Sequence, residues 1–254
     1  MTLNGRNRPE ISGACLKWIA LVTMTIDHIA ASVLARLLCN SSLFSGETWN
    51  RCYWLYDIMR IIGRMAFPVY CFLLVEGFVY TRSRSRYALR LFLFALLSEI
   101  PFDLALWQTA FDFSHNNVYF TLLLGLLCIW SFAYLEERMQ EGLSPLTGKC
   151  LMGLSLCFFA LTAEKVLCTD YGACGILVIA LIWLFREQNV LAGFAFGVLL
   201  LTILSSYIEI AALIMLVPLY FYRGKRGRQP KYFFYAFYPA HLLLLGGICY
   251  LLGI

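Results

Sequence analysis

Apolar residues run through the chain in long blocks separated by short polar stretches, and most blocks match the length of a bilayer crossing. A helix needs about 20 residues to span the hydrocarbon core, with a lower limit of about 17. On that measure the pattern predicts about nine spans, at roughly 14–38, 53–80, 87–107, 117–135, 149–165, 171–185, 191–206, 207–222 and 232–252. The sixth, seventh and eighth are short for the task. The expected fold class is therefore all-α: a polytopic membrane helix bundle forming a single domain over residues 1–254, without a soluble domain, long linker or internal repeat.

Composition agrees. The chain is 61% hydrophobic and 14% charged, whereas soluble domains average about 45–50% apolar and about 25% charged. The net charge of +5 does not signal nucleic acid, because the basic residues sit in short loops between apolar blocks. There they act as topology determinants. Arg82, Arg84, Arg86 and Arg90 lie between spans two and three, and Arg223, Lys225, Arg226, Arg228 and Lys231 between spans eight and nine. The positive-inside rule puts both loops in the cytoplasm. An N-terminus on that side places them there, together with Arg6, Arg8, Arg138, Lys149 and Arg186, and leaves Arg51 and Lys165 as the main outer exceptions. No small-residue cleavage site follows a short apolar core near the N-terminus, so the first span is expected to be retained. The ten cysteines show no C-x-x-C pair and no metal-site spacing. Cys39 and Cys52 flank one outer loop, a location compatible with a disulfide.

Charge inside the apolar blocks is more informative. Ionisable residues at membrane depth are costly and usually face a bundle interior. The first span carries Asp27-His28 about two-thirds of the way along. The second begins with Asp57, Arg60 and Arg64, spaced to share a helical face. That group is either a structural ion pair or an anion site, since the arginine fork suits carboxylate and phosphate. Gly63 beside it permits close helix approach, and Pro68 predicts a kink just beyond. Glu76, nearer the cytoplasmic end, is expected to pair with Arg82 or a neighbour. Glu99 and Asp103 share a face of span three around Pro101. They are candidates for acid–base work or for neutralising Arg60 and Arg64. Asn117 opens span four as a helix cap or as part of a polar entrance. Glu164, Lys165, Asp170 and Glu209 fall at the outer surface, where charge is unremarkable. In span nine, Tyr238 and Pro239 precede His241, which lies ten residues beyond Lys231 and so about 15 Å along the helix, near the midplane. A histidine there is as often a packing residue as a ligand.

These residues carry a resemblance. The stretches LKWIALVTMTIDHIAA, RIIGRMAFPVYCFLLVEGFVYTRSRSRYALRLFLFALLSEIPFD, NNVYFTLLLG, DYGACG and FYAFYPAHLLLL are similar to the TraX family, whose founding member acetylates the N-terminus of F-type conjugative pilin. The likeness covers most of the chain and is weaker between spans six and eight. It implies an acyltransferase in a bacterial cytoplasmic membrane, moving acetyl from cytoplasmic acetyl-CoA to an exported or membrane-associated acceptor. The acceptor would be a pilin or peptide N-terminus, or an amine or hydroxyl of an envelope polymer. By position His28 would be the base, oriented by Asp27 or by a span-three carboxylate such as Glu99, with His241 as the second candidate. Arg60 and Arg64, with Asp57, Asp103, Asn117 and Tyr238 around them, would bind an anionic group or stabilise an oxyanion. Arg82, Arg86 and Arg90 would meet the phosphates of CoA, although topology alone also explains them. No metal and no nucleic acid are expected. Two other classes remain open on the residues: an ion- or proton-coupled transporter, and a non-enzymatic pilus or conjugation assembly factor.

Overall fold

The computed structural model describes residues 10–40, 46–228, 230 and 232–254. Arg6, Arg8 and Lys231 therefore lie outside the described residues. Among those described, helices make up the fold and the only β-pairing is two isolated bridges.

Helix α1 (Gly13–Cys39) starts at Ser12, whose Oγ accepts from the Cys15 N–H at 3.3 Å. A side-chain oxygen at this position satisfies one of the orphan donors of the first turn. The helix widens into a π-helical turn at Ala30–Leu34, just past His28, where Ser32 Oγ donates to the His28 carbonyl at 2.6 Å. Such turns are frequent at functional sites.

The predicted second span is two helices, α2 (Gly46–Gly63) and α3 (Ala66–Tyr80). Pro68 explains the break. It has no N–H to give the Arg64 carbonyl, so the ladder lapses there and the Met65 N–H turns back to Ile62 at 3.3 Å. Helix α4 (Arg84–Leu106) is capped by Ser83 and α5 (Val118–Gln140) by Asn117. Then follow α6 (Pro145–Val166), α7 (Gly172–Phe185), α8 (Val190–Leu204), α9 (Tyr207–Tyr220) and α10 (Phe233–Leu252). Helix α9 begins as a 3₁₀ segment over Tyr207–Met215.

These helices follow the predicted spans in order. Among the described residues, five segments are long and apolar enough to cross a membrane: α1, α2 with α3, α5, α6 and α10. Helices α7, α8 and α9 are apolar but shorter. The chain is thus a helical membrane protein with several such helices. Helix α7 is buried between α5 and α8, with Ile176, Ile179 and Ile182 fully enclosed, whereas α6 shows Leu154, Phe158 and Leu161 on the outside.

The basic segments collect at one end. The Gly13 and Ala14 N–H groups donate to the carbonyls of Lys225 and Arg226 at 2.8 and 3.0 Å, which ties the start of α1 to the loop before α10. Arg84 pairs with Glu137, and Arg186 with Glu136 at 2.8 Å, bringing the start of α4, the end of α5 and the end of α7 together. At the opposite end, the Arg36 guanidinium donates to the Leu104 and Ala105 carbonyls at 3.1 and 2.8 Å. A cation there completes the C-terminus of α4. Cys39 and Cys52 are free thiols, so the disulfide compatible with their loop is not formed.

Candidate functional site

Helices α1 and α10 run side by side and put His28 against His241. Their rings stack with centroids 5.0 Å apart, and His28 Nδ1 lies 2.7 Å from His241 Nε2. His241 Nδ1 lies 2.9 Å from the Phe237 carbonyl. A carbonyl only accepts, so His241 Nδ1 carries the proton and its Nε2 is an acceptor. His28 Nδ1 then donates, and the tautomer follows: His28 Nε2 is left with a lone pair on a ring that lines a cavity. Tyr238 meets both imidazoles edge-on, with centroids 5.8 Å from His28 and 5.6 Å from His241. Pro239 frees the Tyr235 carbonyl, which takes the Tyr119 hydroxyl at 3.4 Å.

The cavity has a volume of about 530 Å³. Its walls include Met24, Asp27 and His28 of α1, Arg60 of α2, Phe67 and Tyr70 of α3, Tyr119 of α5, and Phe234 and Tyr238 of α10. One flank is charged. Asp27 accepts from Arg60 at one oxygen and from Arg64 at the other, both at 2.7 Å. Arg64 also reaches Glu209 at 3.1 Å, whose side chain is wholly buried, and the Tyr171 hydroxyl at 3.4 Å. Two carboxylates thus balance two guanidiniums. Gly63 makes the contact possible, because a Cβ there would overlap the Asp27 side chain.

Two loops roof the cavity at the end away from the basic segments. The Asn116 N–H donates to Cys168 at 3.0 Å, and the Asp170 N–H donates to Asn116 at 2.8 Å. Thr121 Oγ1 donates to the Asp170 carbonyl and accepts from Thr169 Oγ1 at 3.0 Å. Trp107 and His115 stack at 4.4 Å at the rim. Cys168, Tyr171 and Gly172 all have positive φ. Left-handed backbone at a non-glycine residue is strained and clusters at functional sites. Here it turns Tyr171 flat onto Phe67, 3.7 Å between centroids. Asp170 keeps solvent-accessible surface and lines the cavity, yet the surrounding protein desolvates it. Desolvation by the protein packed around this exposed carboxyl pushes it up to about 6, partly offset by Arg64 and reinforced by Asp27.

The family described as TraX protein matches residues 12–249, nearly the whole length that carries this geometry. The chain belongs to the TraX family. It is also 31% identical over 260 residues to the probable fimbrial assembly protein FimC, serogroup H1, of Dichelobacter nodosus, covering 93% of this chain and 95% of that protein. No solved structure matches.

Within this TraX-family chain, the expected site residues divide. Asp27, His28, Arg60, Arg64, His241 and Tyr238 come together. Asp57 does not: the break after Gly63 turns Arg64 toward Asp27, and Arg60 joins it there. Glu99 and Asp103 do not neutralise the arginines, nor do they line the cavity. Glu99 binds Asn117 through its side-chain amide and its N–H, while Asp103 accepts the Asp112 N–H at 2.8 Å. Asn117 caps α5, its Oδ1 accepting from Tyr119 N at 3.0 Å. His28 is therefore oriented by His241, neither by Asp27 nor by a span-three carboxylate. Arg82, Arg86 and Arg90 lie at the far end, outside the cavity wall, with Arg90 stacked on Tyr87. Glu76 accepts from the Tyr222 hydroxyl at 2.9 Å and leaves Arg82 alone. Glu209 and Asp170 are not ordinary surface charges: one is buried beneath Arg64, the other faces the cavity. No cluster of three or more potential metal ligands occurs among the described residues.

Proposed function

We propose that this chain is a membrane-embedded acyltransferase that moves acetyl from cytoplasmic acetyl-CoA to an amine of an exported or membrane-associated acceptor. On this reading it sits in the bacterial cytoplasmic membrane with about nine crossings and its basic end in the cytoplasm. The observation that carries the reading is the hydrogen-bond chain from the Phe237 carbonyl through His241 to His28, which leaves a basic nitrogen on the cavity wall. An orienting partner of this kind is the common feature of activated general bases.

The chemistry is a single displacement. The acceptor arrives as an ammonium and first releases one proton to water; the neutral nitrogen then attacks the thioester carbonyl carbon while His28 Nε2 takes a second proton. A new C–N bond forms, and the carbonyl oxygen takes up negative charge. Collapse breaks the C–S bond, and the thiolate recovers the proton from His28. Arg60 has N–H groups beyond the one given to Asp27, its side chain is 25% exposed, and it lines the cavity, so it is the donor assigned to the oxyanion. The Tyr238 hydroxyl is buried without a hydrogen-bond partner in the same wall, a second such donor. Asp27 and Glu209 already compensate the two arginines, so ionised Asp170 makes the cavity net negative. That balance favours a cationic amine over an anionic acceptor.

The fimbrial assembly name of the Dichelobacter nodosus relative supports a second reading, a non-enzymatic assembly factor. Mass spectrometry of exported peptides and envelope polymers, from cells with and without the gene and fed labelled acetate, separates the two. The acyltransferase reading expects a gain of labelled acetyl on an acceptor. An assembly factor, like a transporter, leaves no such label.

A further inference from the structure

The cavity reaches toward the basic end of the bundle at Phe234, in the first turn of α10. Phe234 is part of the cavity wall. Over the ring, 5.7 Å from its centroid, sits the Lys17 ammonium, and Trp18 packs against the ring edge at 5.3 Å. Lys17 lies on α1 eleven residues before His28, about 16 Å along the axis. It is half-buried, and the Arg226 guanidinium is close enough to act on it electrostatically. The loop bearing Arg226 is latched beneath α1 by the bonds from Gly13 and Ala14, and by the Ile11 N–H to the Phe221 carbonyl at 3.1 Å.

Topology alone does not account for this pairing. The positive-inside rule asks for cations in loops, and Arg226 meets that. Lys17 is inside the helix and half-withdrawn from water, its ammonium over the Phe234 ring of the cavity wall and within electrostatic reach of Arg226. The arginines of the other basic segment are placed differently: Arg84 packs over Phe78 beside Glu137, and Arg90 over Tyr87, all away from the cavity wall.

The geometry points to Lys17 and Arg226 as the phosphate-binding subsite for the nucleotide head of the thioester donor, with Phe234 as the gate through which its acyl arm enters. The inference rests on the acyltransferase reading and adds where the donor docks. The volume inside serves the arm and the acceptor, while the polyanionic head stays outside at the basic end, where two adjacent cations meet its phosphates. Arginine and lysine both bind phosphate, the first as a fork and the second as a point charge.

The test is equilibrium binding of coenzyme A to the purified full chain in phosphatidylcholine nanodiscs. Lys17→Gln and Arg226→Gln are each expected to weaken binding about tenfold, the order of one charge-assisted contact. Lys17→Arg should retain it, and Arg138→Gln, a surface residue already paired with Glu141, should match the wild type. Binding is measured again in the His28→Ala background, which removes the proposed base but leaves the head site. Labelled acetyl transfer by the wild type is followed alongside: binding reports on the head site and transfer on the acyltransferase reading, so the two fail separately. Wild-type affinity in both glutamine variants overturns the assignment. So does loss of binding in Arg82→Gln and Arg86→Gln with Lys17 and Arg226 dispensable. An effect of the Lys17 and Arg226 variants that appears only when phosphatidylglycerol is added assigns the pair to lipid headgroups and also overturns it.

Discussion

At the scale of single residues, the site divides labour between two neighbouring polar groups of one helix, one buried and one half-buried. Asp27 and His28 are neighbours in sequence but face different partners: Asp27 clamps two arginines, and His28 leans on His241. Asp170 adds the charge that is left uncompensated. Its raised carboxyl, at about 6, is ionised above that pH and neutral below it, where an ordinary aspartate would still be charged. Acceptance of an amine is therefore expected to fall as pH drops through about 6, as the attraction for the cation is lost. The charged groups that act on Asp170 most strongly, Arg64, Asp27 and Arg60, are paired among themselves, and Glu209 beneath Arg64 also faces it, so Asp170 is the carboxylate of the cavity wall without a cation of its own. Asp170→Asn should show weaker acceptor binding at pH 7.5 and a flat profile between pH 5 and 7. An inflection near pH 6 that persists in that variant would assign the transition to another group.

Asp170 also shows what sequence reasoning missed. In one dimension it sits in a short loop between apolar blocks, where a charge costs little. Its importance comes from the loop folding inward, through the bonds among Asn116, Cys168, Thr121 and Asp170, none of which leaves a local signature. The positive φ at Tyr171 is equally hidden, since tyrosine carries no preference for it. Glu209 escaped for a related reason: it begins a short helix, which places it near a surface by count, yet its side chain is wholly enclosed under Arg64.

At the scale of elements, the break between α2 and α3 sets the arginine pair. Pro68 announces it in the sequence, but the direction in which the chain turns is decided by packing against α1. That is why the spacing of Asp57, Arg60 and Arg64 suggested a partner on the same helix, while the partner found is Asp27 on the helix beside it. The contact requires Gly63. Gly63→Ala should force Asp27 away from both guanidiniums, with an overpacking cost of about 1–3 kcal/mol and a further loss from the weakened buried pair. A lowered unfolding midpoint in detergent, together with reduced activity, would bear this out, whereas a wild-type midpoint would mean that α1 and α2 separate at no cost. The helix positions themselves were legible, because a block of apolar residues long enough to cross a bilayer has few other ways to satisfy its backbone.

For the whole molecule, the arrangement is polar at two places and apolar between them. The basic end gathers the start of α1, the start of α4 and the loop before α10, while the cavity is roofed at the other end. The clustering of cations at one end was legible from loop charge, because helices of bilayer length alternate sides. The pairing of α1 with α10, first with last, was not: no local pattern encodes a contact across 213 residues of chain, and the His28–His241 bond depends on it. A donor that docks at one end and an acceptor that approaches from the other would meet at that bond.

The central claim is that His28 is the general base of an acetyl transfer, and one measurement tests it directly. Labelled acetyl incorporated into the exported fraction is compared between cells carrying the wild type and cells carrying His28→Ala, at matched abundance of folded protein in the membrane. Loss of a positioned base costs about 10²–10⁴-fold in rate, so incorporation should fall by at least a hundredfold to background. Incorporation at the wild-type rate in His28→Ala would contradict the account.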